Sequence, residues 1–105
     1  MAAKKKFHFK KGSKITGLAS MAQPYPTTYV HMNKMVVGMI SPPSRFGHDN
    51  WIPMLLVKTE TECGWKWIEF KAKFETEPEA REWFRKYQDK LYETYDIYEM
   101  EPWDN

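Results

Sequence analysis

The chain has one cysteine, Cys63, in 105 residues. No internal disulfide can form, and a lone thiol fits a reducing compartment, so a cytoplasmic location is expected. Long hydrophobic runs are missing too. The longest, Met54-Leu55-Leu56-Val57, reaches back to Ile52 only across Pro53, far short of the roughly 18 apolar residues of a membrane span. No membrane association is expected. The first residues carry charge at Lys4, Lys5 and Lys6, and no apolar stretch with a small-residue cleavage site follows, so a secretory signal is not expected either. No segment repeats.

Catalytic signatures are equally scarce. There is no Gly-rich phosphate loop, no Gly-x-Ser-x-Gly, no His-Glu-x-x-His and no Cys-x-x-Cys. His8, His31 and His48 are far apart, without the close ligand pairs of a structural zinc site. The expectation is a protein with no metal, no cofactor and no enzymatic activity. His48-Asp49 beside Ser44 is the one dyad-like arrangement, but neighbours in a polar loop seldom aim at each other, and Asp49-Asn50 reads as a turn.

Aromatic residues, by contrast, are plentiful: 5 Trp, 6 Tyr and 6 Phe, 16% of the chain. Such a content argues for an ordered domain, and the length allows one domain, residues 1–105, with a modest core. The net charge of +2 conceals a division. Residues 1–74 carry 12 basic and 4 acidic side chains, whereas residues 75–105 carry 4 basic and 10 acidic. Asymmetry of this kind points to an anionic partner for the basic part.

Along the chain, residues 1–14 form a basic arm in which Phe7 and Phe9 alternate with His8 and Lys10, compatible with a short edge strand or a tail. Pro24 and Pro26 then impose an extended connector. Thr28–Met32 and Met35–Ile40 are β-branched and apolar runs joined by Asn33-Lys34, the pattern of a hairpin. After a loop carrying Arg45 and His48, strands are expected over Trp51–Thr59, with Pro53 near an edge or bulge, and over Trp65–Phe74. In the latter, Ile68, Phe70, Ala72 and Phe74 share one face, and Trp65, Trp67, Glu69, Lys71 and Lys73 the other.

A helix is announced by Thr76-Glu77-Pro78-Glu79, with Thr76 as cap and Glu79 placed to bond back to it. Ala80, Trp83, Phe84, Tyr87, Leu91 and Tyr95 then recur at helical spacing. The expected fold is α+β: an antiparallel sheet over 28–74 with four strands, five if Phe7–Lys10 joins, backed by one amphipathic C-terminal helix over 77–95. The acidic stretch 96–105 is expected to fray or wrap the surface.

Two candidate surfaces emerge. Trp67, Lys71 and Lys73, near Trp65 and with Arg45 added, combine an indole platform with cations. Lys4, Lys5, Lys6, Lys10 and Lys11 add a basic arm. Rings and positive charge together suit nucleic acid. The alternative for Trp65 and Trp67 is that they cover a second layer made by residues 1–25, with the lysines reaching solvent at its rim. The second surface is a protein contact made of Trp65, Tyr92, Tyr95, Tyr98 and Trp103, residue types favoured at interface centres, set in an acidic segment.

Residues 51–91, with Trp67-Ile68-Glu69-Phe70-Lys71-Ala72-Lys73-Phe74 followed by Thr76-Glu77-Pro78-Glu79-Ala80-Arg81-Glu82-Trp83, resemble the arm-binding domain of phage integrases. The resemblance implies a three-stranded antiparallel sheet on one helix that reads the DNA major groove with its exposed face. It makes Lys58, Lys66, Trp67, Lys71 and Lys73 the candidate contacts. No catalytic integrase domain accompanies it here, and residues 1–50 have no counterpart. The small, aromatic-rich format also resembles bacteriophage accessory proteins, many of which bind and inhibit a host protein. Non-enzymatic nucleic-acid binding is the first expectation, and binding of a host protein the second.

Overall fold

The computed structural model describes residues 6–12, 25–44 and 47–101. Five strands, β1 (His8–Lys11), β2 (Thr28–Met32), β3 (Met35–Ser41), β4 (Ile52–Lys58) and β5 (Trp65–Glu69), form one sheet in chain order. Every neighbouring pair is antiparallel, and a helix, α1 (Glu77–Thr94), follows. The fold is therefore α+β as expected, and the basic arm does supply the fifth strand, with His8 opposite His31 and Lys11 opposite Thr28. In the β2–β3 turn, Asn33 and Lys34 have φ of 54° and 69°. Two consecutive left-handed residues give the turn whose twist matches a two-residue hairpin.

A bulge shapes the middle of the sheet. Val30 faces Gly38 but His31 faces Val36, which leaves Val37 as the extra residue, fully buried in the core. Gly38 lies beneath the helix. A Cβ there would stand 2.8 Å from the Met54 carbonyl oxygen, so a side chain would force the backbone of the neighbouring strand to shift, while the Phe84 ring at 3.5 Å is at ordinary contact distance.

Thr76 caps α1: its hydroxyl accepts the Glu79 N–H at 3.4 Å and donates to Glu79 Oε1 at 2.9 Å. Glu79 thus engages the cap through the hydroxyl rather than through the Thr76 N–H. Ala80, Phe84 and Leu91 are buried against Phe7, Val30, Leu55 and Val57. Tyr87, expected in this stripe, is instead 37% exposed. Gln88 takes the inward position, its Oε1 accepting the Phe7 N–H at 2.8 Å. A half-buried amide is tolerated there because it satisfies an edge-strand donor.

Two further expectations are corrected. Trp65–Phe74 is not one strand: β5 stops at Glu69. The Phe70 N–H still reaches the Pro53 carbonyl at 3.1 Å, but proline has no N–H to return the bond, and the ladder ends. Chain contact with the sheet resumes only at Phe74, which bridges Trp51.

Nor does the acidic segment fray over 96–101. β3 and β4 pair only from Gly38–Ser41 to Ile52–Leu55, and beyond that the C-terminal segment fills the gap between them. The Lys58 N–H donates to the Asp96 carbonyl at 2.8 Å and the Tyr98 N–H to that of Leu56 at 3.0 Å, while Met100 and Val36 exchange both bonds. Ile97 is buried in the core. Backbone groups orphaned by the parting strands are thereby satisfied.

Candidate nucleic-acid interface

Side chains alternate along a strand, so directly opposed residues share a face of the sheet. The row Val30, Gly38, Leu55 and Ile68 lies under α1, and Phe7 and Phe9 of the edge strand belong to the same side. Phe7 meets Phe84 edge-on at 5.8 Å and Tyr92 at 6.0 Å. Phe9 carries two guanidinium groups: Arg81 Cζ lies 5.4 Å and Arg85 Cζ 5.0 Å from its ring centroid. Arg81 and Arg85 are one helical turn apart, so both reach the same ring.

Arg81 is already engaged, its Nε 2.5 Å from Glu77 Oε1. The fully buried Thr28 donates its hydroxyl to the other Glu77 oxygen. Arg85 is exposed, and with Lys6, His8 and Lys86 it borders a shallow groove floored by Phe7 and Gln88 and closed by Asp89. Lys10 and Lys11 continue this edge along β1. Burial pushes the Tyr92 phenol up to about 12, and the Glu99 carboxylate adds to the effect, so this ring stays neutral beside the edge.

The sequence-derived contacts do not gather. Trp67 stands opposite Leu56, and Trp65 opposite Lys58, on the side away from α1. Lys58 is paired there with Asp96 at 3.6 Å, both side chains exposed. Lys66, opposite the core residue Val57, projects on the α1 side, because it is one residue out of phase with Trp67. Lys71 and Lys73 are exposed but lie past the end of β5, outside the strand face they were expected to share. Lys6 borders the β1–α1 groove and Lys11, in phase with Phe7 and Phe9, is on the same side of the sheet, whereas Lys10 is on the opposite side with His31. Lys4, Lys5, Arg45 and Trp103 lie outside the described residues.

The aromatic protein-contact set divides three ways. Trp65 packs on Tyr98 with centroids 6.4 Å apart, Tyr95 on Phe70 at 5.6 Å, and Tyr92 on Phe7. Both indoles of β5 are half-buried, and the contact described for Trp65 comes from the C-terminal segment. Sequence reading missed Arg85 and Lys86 because they sit in the acidic third of the chain. The signal was present as their four-residue spacing from Arg81 and Lys90.

His48 finds a partner other than Asp49 or Ser44. Its Nδ1–H donates to the Asn50 carbonyl at 2.6 Å, which leaves Nε2 to accept from the Ser41 hydroxyl at 3.2 Å. The trio ties the end of β3 to the loop before β4. His31 faces His8 across the β1–β2 pair. Burial lowers its pKa from the ordinary value, with Lys10 and His8 adding to the effect against a Tyr29 backbone hydrogen bond. Among the described residues no cluster of three metal-ligating side chains occurs, and no helix is long and apolar enough to cross a membrane. Comparisons with protein-family models, curated proteins and solved structures return no match to this chain.

Proposed function

We propose that this protein binds nucleic acid through the phosphate backbone, along the edge formed by β1 and α1. One observation carries the reading. Lys6 borders the same groove as Arg85 and Lys86, at least 79 residues away in the chain, Lys11 follows on the α1 side of β1, and none of the four is in an ion pair with another described residue. Aligned cations neutralise phosphates and release condensed counterions, which supplies affinity without regard to sequence. Arg85 is held over Phe9 before any ligand arrives, so less side-chain freedom is lost on contact, and its planar fork suits phosphate oxygens. Of the carboxylates on this side, Glu77 is already occupied by Arg81 and Thr28, and Asp89 at the end of the groove is itself engaged.

The sheet-face surface suggested by the integrase resemblance is less favoured, since Lys58 is paired with Asp96 and Lys66 is on the other side from Trp67. The test is fluorescence anisotropy with labelled DNA over a range of salt. The logarithm of affinity is expected to fall linearly with the logarithm of salt, and the combined Lys11→Ala and Arg85→Ala variant should flatten that slope by about 0.7–0.9 per lost phosphate contact. Salt-independent binding, or none at low ionic strength, overturns the proposal.

A further inference from the structure

Resting on the nucleic-acid reading above, we infer that the strip between β5 and α1 is a stacking platform for unpaired bases, which makes single-stranded nucleic acid the preferred ligand. Four rings follow one another along it. Tyr87 lies 5.6 Å from Trp83, Trp83 5.0 Å from Phe70, and Phe70 5.6 Å from Tyr95, centroid to centroid. The inner pair is half-buried, and Trp83 is held edge-on against the core residue Phe84 at 5.1 Å. The outer rings, Tyr87 and Tyr95, are 37% and 36% exposed. A firmly seated indole and phenyl thus support two tyrosines whose rings are offered to solvent, Tyr87 within α1 and Tyr95 at its C-cap.

The charges beside these rings identify the occupant. Lys90 follows Tyr87 by three residues on the same side of the helix, and Lys86 Nζ lies 5.4 Å from the Tyr87 ring centroid. Exposed rings bordered by ammonium groups complement a flat-ringed polyanion: bases stack on the rings while phosphates meet the lysines. A duplex keeps its base faces stacked inside and has none to offer except at its ends. Of the neighbouring carboxylates, Glu79 accepts a hydrogen bond from the Thr76 hydroxyl at the cap, and Asp96, next to Tyr95, is paired with Lys58. Lys86 also borders the β1–α1 groove, so strip and cationic edge adjoin.

The experiment measures anisotropy at one salt concentration with three labelled probes: an oligothymidylate strand, an abasic strand of the same length, and a duplex. The Tyr87→Ala, Tyr95→Ala double variant is expected to lose about tenfold or more on oligothymidylate, while the abasic strand and duplex stay within about twofold. The Arg85→Ala variant should weaken all three. Unchanged oligothymidylate binding in the tyrosine variant, or an equal loss on the abasic strand, overturns the platform and leaves the cationic edge standing. No binding of any probe by the wild-type protein overturns both. Should the double variant melt at a lower temperature, Tyr87→Phe with Tyr95→Phe decides: the rings remain, so oligothymidylate binding must remain, and its loss refutes stacking. A wild-type dimer in sedimentation that both tyrosine substitutions abolish would assign the strip to self-association instead.

Discussion

At the scale of single residues, the positions that matter most are those where one atom decides a contact. Gly38 owes its place to the 2.8 Å that separates an imagined Cβ from the Met54 carbonyl. Gln88 turns toward the sheet because one oxygen meets the Phe7 N–H. Neither follows from hydropathy, since glycine in a strand has several uses and glutamine on a helix is ordinarily solvated. His31 is the residue whose environment makes a pH-dependent claim. Burial, with Lys10 and His8 on the adjoining strand, holds its pKa below the ordinary 6.5. The unfolded chain therefore takes up the proton first as pH falls, and the folded state loses this contribution. Stability should be full above 6.5 and decline as pH drops through the lower, folded value. Thermal melts of the His31→Gln variant are expected to show a shallower decline over that range than the wild type. An equal decline would place the sensitivity elsewhere.

At the scale of elements, local rules were readable where the chemistry is local. Asn33-Lys34 between two β-branched runs marks a hairpin, and Thr76 through Glu79 marks a helix start; both stand within a residue or so of where the pattern puts them. Lys34 nevertheless occupies a left-handed conformation, φ 69°, that costs a side-chain-bearing residue roughly 1 kcal/mol. Lys34→Gly should raise unfolding stability by up to about 1 kcal/mol, less any gain in unfolded-state freedom, in urea titrations. The end of β5 was not readable in its own residues. Alternation continues through Phe74 in the sequence, but the ladder needs an N–H from the partner strand, and the partner at that register is Pro53. A strand's length is set by two segments at once.

At the scale of the whole molecule, the chain closes on itself through its last described residues. Where β3 and β4 part, Asp96–Met100 supplies the missing hydrogen bonds and Ile97 the missing core volume. Ile97→Ala is expected to destabilise the protein by about 2–4 kcal/mol, a typical cost for truncating a buried aliphatic side chain. Chemical denaturation measures this directly, and a loss under about 0.5 kcal/mol, the range of a neutral surface change, would mean that the segment merely lies on the surface. The same closure explains the charge division. Among the described ion pairs, Lys58–Asp96, an exposed pair, is the one that joins the basic and acidic parts.

By itself the sequence determined the fold class, the hairpin, the helix cap and the existence of a charge asymmetry. Each depends on residues within a turn or a strand of one another, where backbone conformation and periodicity act directly. Which cations stand together was decided only in three dimensions. β1 returns to the sheet edge beside α1 and sets Lys6, from the start of the chain, at the same groove as Arg85 and Lys86. The phase of Lys66, by contrast, removes it from Trp67. Proximity between segments more than seventy residues apart is a property of the packed core formed by Phe7, Phe84 and the sheet beneath them, and no local pattern encodes it.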